Sequence, residues 1–501
     1  MNKINNKTVL VSTSSELKDA LENDNGYEYI YLENDITLDS GITVNKNKNS
    51  VTINGTYQNV MHTLTGMNSV DSSDTIVCIS SSQKIKIKNI KIIYTNTNGI
   101  VYVPEDNSSY NTIIIYDNVT FTGTQLSVNP YGVVKIDNSN ITIQNTNNVE
   151  SQEVCEAERI IIGGKTNITS NSTNFSLFYF KEDSVSPYIV FSCKSNVIIS
   201  TDTREFMSGT NKLNFTILHD TSVHLTTGNG FANLADYGTN NVLIDERASF
   251  IFLEKSHERI PMWAIFGSLT MKEASTLQII NSYNNTPSDN FNIHFKGTDC
   301  SINLDNPKNL TIYTKNSNVL YTDNVLNFNI KCSRINMWQN STELSQAGDI
   351  NNIPDYYWYK ENDLIKLGGV ITSSLTSITK NNFTPSELQT LSDIGNFTFQ
   401  NRKQFSIGTT YMNIHPINTS KNTISGHTDS FADVLIKYNS TSEIVNADDN
   451  GLFEYNLPST ISDNTKVELT SNVSGSFIYK TRTITTPFTG ELTLLDANPS
   501  I

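Results

Sequence analysis

The chain has 501 residues, which at roughly 100–200 residues per domain allows two to four domains. Its 22 Tyr and 22 Phe, set among many Ile, Val, Asn, Ser and Thr, exclude intrinsic disorder and indicate an all-β protein with polar turns. Its 35 basic and 50 acidic residues give a net charge of -15, without the concentrated basic surface that a nucleic-acid-binding protein needs.

Residues 1–26 predict an N-terminal cap. Thr13 and Glu16 have the spacing of a capping box, in which the two side chains satisfy free backbone amides at the start of a helix. Residues 17–21 continue as a short amphipathic helix. Because a stack of strands leaves unpaired groups at its ends, we expect this helix to cover the first coil.

Residues 27–338 repeat an apolar strand, a polar turn and a second apolar strand at intervals of roughly 27 residues. Apolar residues alternate with polar ones, as in Ile85-Lys86-Ile87-Lys88, which excludes helices, and tight hairpin signals are scarce, which disfavours a sandwich. The repeat predicts a right-handed parallel β-helix, a solenoid of single strands. One inward column is expected to contain Val119, Ile141, Ile168, Val197, Val223, Phe250, Leu277, Leu310 and Ile335.

Residues 339–422 depart from this repeat and predict a small α+β module packed on the last coils, with a second capping box at residues 384–387. The run Tyr356, Tyr357, Trp358 and Tyr359 cannot point every ring inward, since alternate side chains of an extended segment face opposite sides. The outward rings either cover the last coil or form a platform for a sugar or a protein. These four residues are the candidate binding residues.

Residues 423–501 contain short strands at a spacing of about 8–12 residues, which predicts an independent β-sandwich that adds reach or a docking point rather than chemistry. Asp449-Asn450-Gly451 lies between alternating strands and is typical of a hairpin turn rather than of a calcium loop.

Two parts of the chain resemble known families. The opening, in residues 9–11, 16–21 and 29–38, resembles the pectate-lyase-like adhesive domains of Gram-positive surface proteins, and residues 266–271 and 277–279 extend the resemblance over about residues 8–340. The resemblance implies an adhesin at the cell surface. Ile424-Ser425-Gly426, Asp449-Asn450-Gly451 and Tyr455-Asn456-Leu457-Pro458 resemble a bacterial Ig-like domain.

An enzyme on the same scaffold is the alternative. A polysaccharide lyase needs carboxylates that hold Ca²⁺ together with a base, and a glycoside hydrolase needs two facing carboxylates. The best candidates are Asp220, Asp245, Glu246 and Arg247, and Asp220 and Asp245 are expected to stack roughly 5 Å apart on successive coils. Because Asp137 occupies the same kind of turn in an earlier coil, we interpret the position as structural.

No cofactor or metal is expected, because the five cysteines share no close spacing and the histidines are scattered. The chain shows no signal peptide, membrane span or sortase motif, so we expect either a trimmed chain or another route to the outside.

The sequence therefore favours a non-enzymatic adhesion or receptor-binding protein that is extracellular, on a cell surface or in a phage-tail-like particle. The expected partner is a carbohydrate or protein on a bacterial or host cell, with neither nucleic-acid binding nor membrane insertion. The sequence leaves the oligomeric state open, and a trimer is expected if the chain belongs to a tail fibre. The alternative remains a lyase or hydrolase that degrades polysaccharide.

Overall fold

The computed structural model divides into two compact units, residues 1–345 with 358–409, and residues 346–357 with 410–501. The residues described by the structure are 1–66, 75–80, 82–104, 111–145, 149–202, 204–232, 236–255, 262–281, 291–314, 318–338, 354–359, 364–371, 379–380, 403–409, 412–417, 423–459, 461–473 and 476–484.

The helix Ser14–Glu22 begins at the capping box. Thr13 Oγ1 accepts a hydrogen bond from the amide of Glu16 at 3.2 Å, and the Glu16 carboxylate accepts one from the amide of Ser12 at 2.7 Å. Leu17, Ala20 and Leu21 are buried, which places the apolar face of this helix on the first coil. The predicted capping box is confirmed.

The first unit is a β-solenoid of about ten turns, and the predicted parallel β-helix is confirmed. Each full coil passes through three parallel sheets, which we name the first, second and third sheets in the order in which a coil enters them.

The first sheet contains the strands Thr8–Val11, Tyr29–Leu32, Ser50–Asn54, Tyr188–Phe191, Leu213–Ile217, Thr239–Ile244, Asp299–Asp305 and Val325–Cys332. The second sheet contains Ile36–Thr37, Thr63–Thr65, Asn140–Ile143, Lys165–Ser170, Asn196–Thr201, Ser222–Thr227, Ser249–Glu254, Thr276–Asn281 and Asn309–Thr314. The third sheet contains Ile42–Val44, Ile76–Cys78, Val101–Tyr102, Phe178–Tyr179, Met207–Ser208, Phe291–Phe295 and Asn318–Thr322.

Longer strands bend at a corner and pair in two sheets. Lys84–Tyr94 and Ile113–Gly123 run from the first sheet into the second, while Ser127–Asp137, Cys155–Gly163 and Trp263–Met271 run from the third sheet into the first. At the start, Asn2–Asn5 pairs antiparallel with Thr8–Val11, and Thr56–Tyr57 with Val60–Met61 forms a hairpin. The stack thus begins at residue 8, earlier than the predicted residue 27.

The interior of the solenoid is apolar because alternate residues of every strand point inward. Phe215, Phe231, Phe252 and Trp263 are each fully buried, and the rings of Phe231 and Trp263 stack at 4.7 Å between centroids. These rings tie consecutive coils together and form the centre of the core.

The predicted inward column needs a correction of register. All nine residues are buried, and Val197, Val223, Phe250, Leu277 and Leu310 follow one another in register. Ile141 and Ile168, however, lie two residues further along, aligned with Ile199 instead of Val197.

The residues that fill the column at those two coils are Ser139 and Thr166, both fully buried. Their hydroxyls remain satisfied inside, since Ser139 Oγ accepts a hydrogen bond from the amide of Val119 at 3.0 Å and Thr166 Oγ1 donates to the carbonyl of Gly163 at 2.6 Å. The prediction failed there because it assigned every hydroxyl to a polar turn.

At the carboxyl end of the solenoid, residues 365–371, 379–380 and 404–408 of the predicted α+β module form strands, and the module as a whole stays a prediction. Ile365–Ile371 pairs antiparallel with Val325–Cys332 and carries a short further strand, Thr379–Lys380. Gln404–Gly408 pairs antiparallel with both Asn309–Thr314 and Arg334–Trp338. These strands extend the sheets of the last coils themselves. The capping box predicted at residues 384–387 lies outside the described residues.

The second unit has two antiparallel sheets. The strands Asn413–Ile414, Thr423–His427 and Leu452–Asn456 form one sheet. The strands Thr441–Asn446, Asp433–Tyr438, Lys466–Val473 and Ser476–Thr483 form the other. Residues of both sheets, such as Ile424, Phe453, Val434 and Leu469, share one buried cluster. The unit therefore begins before the predicted residue 423, and its Ig-like assignment stays a prediction.

Candidate functional site

The turn between the first and second sheets repeats one backbone conformation from the coil of Lys84–Tyr94 to the coil of Asp299–Asp305. A residue with φ between 49° and 60° recurs there, a region that Asn and Gly adopt most readily. Side-chain amides bond along the stack, as where Asn118 Nδ2 donates to Asn89 Oδ1 at 2.9 Å. The residues of this turn ladder are Asn89, Asn118, Asn138, Gly164, Lys194, Asp220, Arg247, Ala274 and Asn306.

Asp220 and Arg247 are successive members of the turn ladder. Arg247 Nε and Nη2 donate to the two oxygens of Asp220 at 2.7 and 3.1 Å, and His219 Nδ1 lies 3.0 Å from Asp220 Oδ2. The guanidinium of Arg247, and then His219, hold the pKa of Asp220 well below its usual range. Asp220 is therefore a charged partner in a link between two coils.

Asp245 and Glu246 face cations in the same turn. Lys272 Nζ lies 3.0 Å from Asp245 Oδ1, and Arg247 Nη1 lies 3.5 Å from Glu246 Oε2. Burial alone would raise the pKa of Asp245, but hydrogen bonds led by that from Lys272 outweigh it and leave the pKa lowered. A general acid needs the opposite shift, so these contacts support a structural interpretation of the turn.

The expected stacking of Asp220 on Asp245 is wrong. Ile217 pairs with Ile244, so Asp245 comes directly after its strand, whereas Asp220 comes three residues after Ile217. Arg247 occupies the position that corresponds to Asp220. The sequence gives the number of residues between Asp220 and Asp245, but it does not show which residue of each turn adopts the left-handed conformation. Those residues are Asp220 and Arg247.

The predicted aromatic platform lies partly outside the described structure. The backbone of Tyr356–Tyr359 forms a strand. The side chains of Tyr356, Tyr357, Trp358 and Tyr359 are outside the described part of the chain, so their role as binding residues stays a prediction.

A groove of about 320 Å³ lies over the outer side of the third sheet, and we name it the third-sheet groove. The adjacent strands Phe178–Tyr179 and Met207–Ser208 supply its base, since Phe178 and Met207 are buried inward while Tyr179 and Ser208 line the groove. The residues that line it are Glu153, Asn174, Phe175, Ser176, Tyr179, Glu182, Arg204, Ser208, Gly209 and Tyr237.

Gly209 allows the groove its shape. Its φ is +94°, and a Cβ there would lie 2.0 Å from the carbonyl oxygen of Phe180 and 2.9 Å from the ring of Tyr179. A larger residue would therefore push the Tyr179 ring away from its place. The glycine is required by both the backbone conformation and the close approach.

Two tyrosines and two carboxylates are among the residues that line the groove. The Tyr237 hydroxyl donates a hydrogen bond to Glu182, and this bond raises the pKa of Tyr237 to about 12. Arg204 Nε lies 3.2 Å from Glu205 Oε2, and Asn229 Nδ2 donates to Glu205 Oε1 at 3.0 Å. These contacts link the loops that carry Glu182 and Tyr237, and they hold the buried carboxylate of Glu205 between Arg204 and Asn229.

Glu153 is the distinctive titratable group of the groove. It is only 8% exposed, and burial, with a smaller effect from the neighbouring Glu156, raises its pKa to about 8. Sequence reasoning missed it because the lining residues come from loops of several coils, between residues 153 and 237. The weak signal was an acidic residue two positions before the strand Cys155–Gly163, and acidic residues are common before strands.

The N-terminal coils match a known protein family. Residues 8–128 match the family described as "Putative pectate lyase-like adhesive domain". This adhesive-domain match starts at the first strand of the first sheet and confirms the predicted resemblance over those residues. The third-sheet groove begins at Glu153 and lies beyond them.

No curated protein matches the chain in sequence. Among solved structures, that of "L. reuters 100-23 SRRP" is similar with 16% identity and a TM-score of 0.38, covering 60% of this chain and 85% of that chain. Within the described residues, no helix combines the length and apolar character needed to cross a membrane. The adhesive-domain match fits a role in adhesion and a location at a cell surface.

Proposed function

We propose that the chain is a non-enzymatic adhesion protein that binds a cell-surface carbohydrate in the third-sheet groove. The observation that carries this proposal is the set of side chains in the groove. Tyr179 and Tyr237 offer ring faces on which a sugar can stack, and Asn174 and Ser208 offer amide and hydroxyl groups for sugar hydroxyls. The solenoid positions these groups on adjacent strands and loops.

The biological setting belongs to the same proposal. The adhesive-domain match supports a surface protein, either an adhesin of a Gram-positive cell or a receptor-binding component of a phage or phage-tail-like particle. The receptor would be a glycan of a bacterial or host cell, and a protein receptor is the competing partner. The genomic neighbours of the gene, sheath and baseplate genes or sortase and wall genes, would distinguish the two settings.

Binding without cleavage is favoured over the enzyme alternative. The carboxylates predicted for catalysis, Asp220 and Asp245, are held ionised by Arg247 and Lys272 in the turn ladder. Among the carboxylates of the described residues that line the groove, Glu153 alone has the raised pKa of a general acid, but hydrolysis needs a second carboxylate that faces the same bond. Glu182 is already engaged by the Tyr237 hydroxyl.

The proposal is tested by measuring binding of the full chain to cell-surface glycans, with Tyr179→Ala as the variant. Loss of a stacking ring in a binding groove should weaken affinity by about tenfold or more. Tyr188→Ala is the matched control, because Tyr188 lies on the first sheet and not in the groove. Equal affinity of Tyr179→Ala and the wild type for every bound glycan would refute the groove as the site.

A further inference from the structure

Glu153 is a carboxyl group that lines the third-sheet groove while being more than nine-tenths buried, at 8% exposed. Its own backbone amide donates a hydrogen bond to it. Among the ion pairs of the described residues, none includes Glu153. A buried acid without a cationic partner is costly in its charged form, so burial keeps Glu153 protonated near neutral pH.

The surroundings of Glu153 are acidic. Among the described residues that line the groove, Arg204 is the single cationic side chain, and it is already paired with Glu205. Glu150 borders the groove through Asn174, whose Nδ2 donates to its carboxylate at 2.9 Å. The titratable and charged groups around Glu153 are Glu150, Cys155, Glu156, Tyr179, Glu182, Arg204, Glu205 and Tyr237.

An acidic groove with tyrosine rings favours a cation over an anion. A ring face attracts an ammonium group, and a buried carboxylate forms a strong charge-assisted hydrogen bond with one. A polymer of sugar acids would instead place its carboxylates against Glu153 and Glu182, while Arg204, the single cationic side chain among the described lining residues, is paired with Glu205. The groove also holds neutral amide and hydroxyl groups, which a lysine side chain would leave unused and a sugar ring would engage.

We propose that the third-sheet groove binds a glycan that contains amino sugars with free amines, and that the ammonium group of one such sugar pairs with Glu153. This inference rests on the proposed glycan-binding function and names its ligand class. Tyr179 and Tyr237 stack on the sugar rings, while Asn174 and Ser208 form hydrogen bonds with the sugar hydroxyls.

The pairing has a proton balance that can be measured. At pH 6 the ligand amine is charged, and Glu153 in the free protein is protonated because its pKa is about 8. When the ammonium group docks, the carboxylate form becomes the favoured one, so the Glu153 proton leaves to solvent and the amine keeps its own. Binding should therefore release close to one proton per site. An uncharged N-acetylated sugar would release none.

The test is isothermal titration calorimetry of the full chain at pH 6, in two buffers with different ionisation enthalpies. The probes are oligomers of glucosamine, of N-acetylglucosamine and of lysine, at matched length. We expect glucosamine oligomers to bind about tenfold more tightly than N-acetylglucosamine oligomers, with release of close to one proton. Glu153→Gln should abolish both effects. Glu443→Gln, an exposed site in the second unit, should retain both.

The outcomes separate this inference from the proposed function. Equal binding of the two sugar oligomers, no proton release by the wild type, or equally tight binding of lysine oligomers would each overturn the amino-sugar assignment. In those cases a loss of glycan binding in Tyr179→Ala would still support the groove. If Glu153→Gln failed to fold, as judged by circular dichroism, the proton count of the wild type would decide the matter.

Discussion

The replacement Glu153→Gln should remove a pH dependence from the stability of the solenoid. The ordinary pKa of this side chain, 4.5, applies to the unfolded chain, and burial raises the pKa to about 8 in the folded one. The folded state thus holds a proton that the unfolded state has lost between these values. The contribution of Glu153 to stability is fully present below pH 4.5 and is lost as the pH rises to 8. At about 1.36 kcal/mol per pH unit, stability falls by roughly 2.5 kcal/mol from pH 5 to pH 7.

Urea unfolding of the wild type and of Glu153→Gln, followed at pH 5, 6 and 7, measures this contribution. From pH 5 to pH 7, the free energy of unfolding of the wild type should fall by about 2.5 kcal/mol more than that of the variant, because the amide of Gln does not titrate. Glu443→Gln should follow the wild type, since Glu443 is exposed. Parallel curves for the wild type and Glu153→Gln would refute the reasoning and, with it, the raised pKa.

Three further predictions concern the core, the second unit and catalysis. Phe231→Ala should lower the free energy of unfolding in urea by about 3–5 kcal/mol, because Phe231 is fully buried against Trp263. The control Phe431→Ala, at a 71% exposed site, should change that free energy by about 0.5 kcal/mol or less. Residues 410–501 expressed alone should unfold cooperatively in calorimetry. A fragment that begins at residue 423 should be less stable, because it lacks the strand Asn413–Ile414. If neither fragment showed a cooperative transition, this would contradict a separate unit. Incubation with acidic or neutral polysaccharides, with or without Ca²⁺, should yield neither unsaturated ends that absorb in the ultraviolet nor new reducing ends, and products lost in Glu153→Gln would establish the enzyme alternative.

The β-helix was predictable from the sequence because each strand carries its own alternation. Ile85 and Ile87, for example, are fully buried, while Lys84 is exposed and Lys86 is half-buried. The register was less predictable, because buried hydroxyls such as Ser139 and Thr166 look like turn residues. Their hydrogen bonds to the neighbouring backbone offset the cost of burying a hydroxyl, and these bonds are visible only in the folded structure.

The closing strands could not be predicted in the same way. Ile365–Ile371 and Gln404–Gly408 join their sheets antiparallel, at sequence separations that do not match the repeat. No repeat interval therefore indicates their position. The third-sheet groove was missed for a related reason. Its tyrosines and carboxylates come from a short strand and from loops whose sequences differ from coil to coil, and the solenoid brings them together.

The most direct test of the proposed function is a crystal structure of the full chain with a bound cell-surface glycan. The account predicts sugar rings in the third-sheet groove, stacked on Tyr179 or Tyr237, with an amine within hydrogen-bond distance of Glu153. A glycan bound on the outer face of the first sheet or along the turn ladder, with the groove empty, would contradict it.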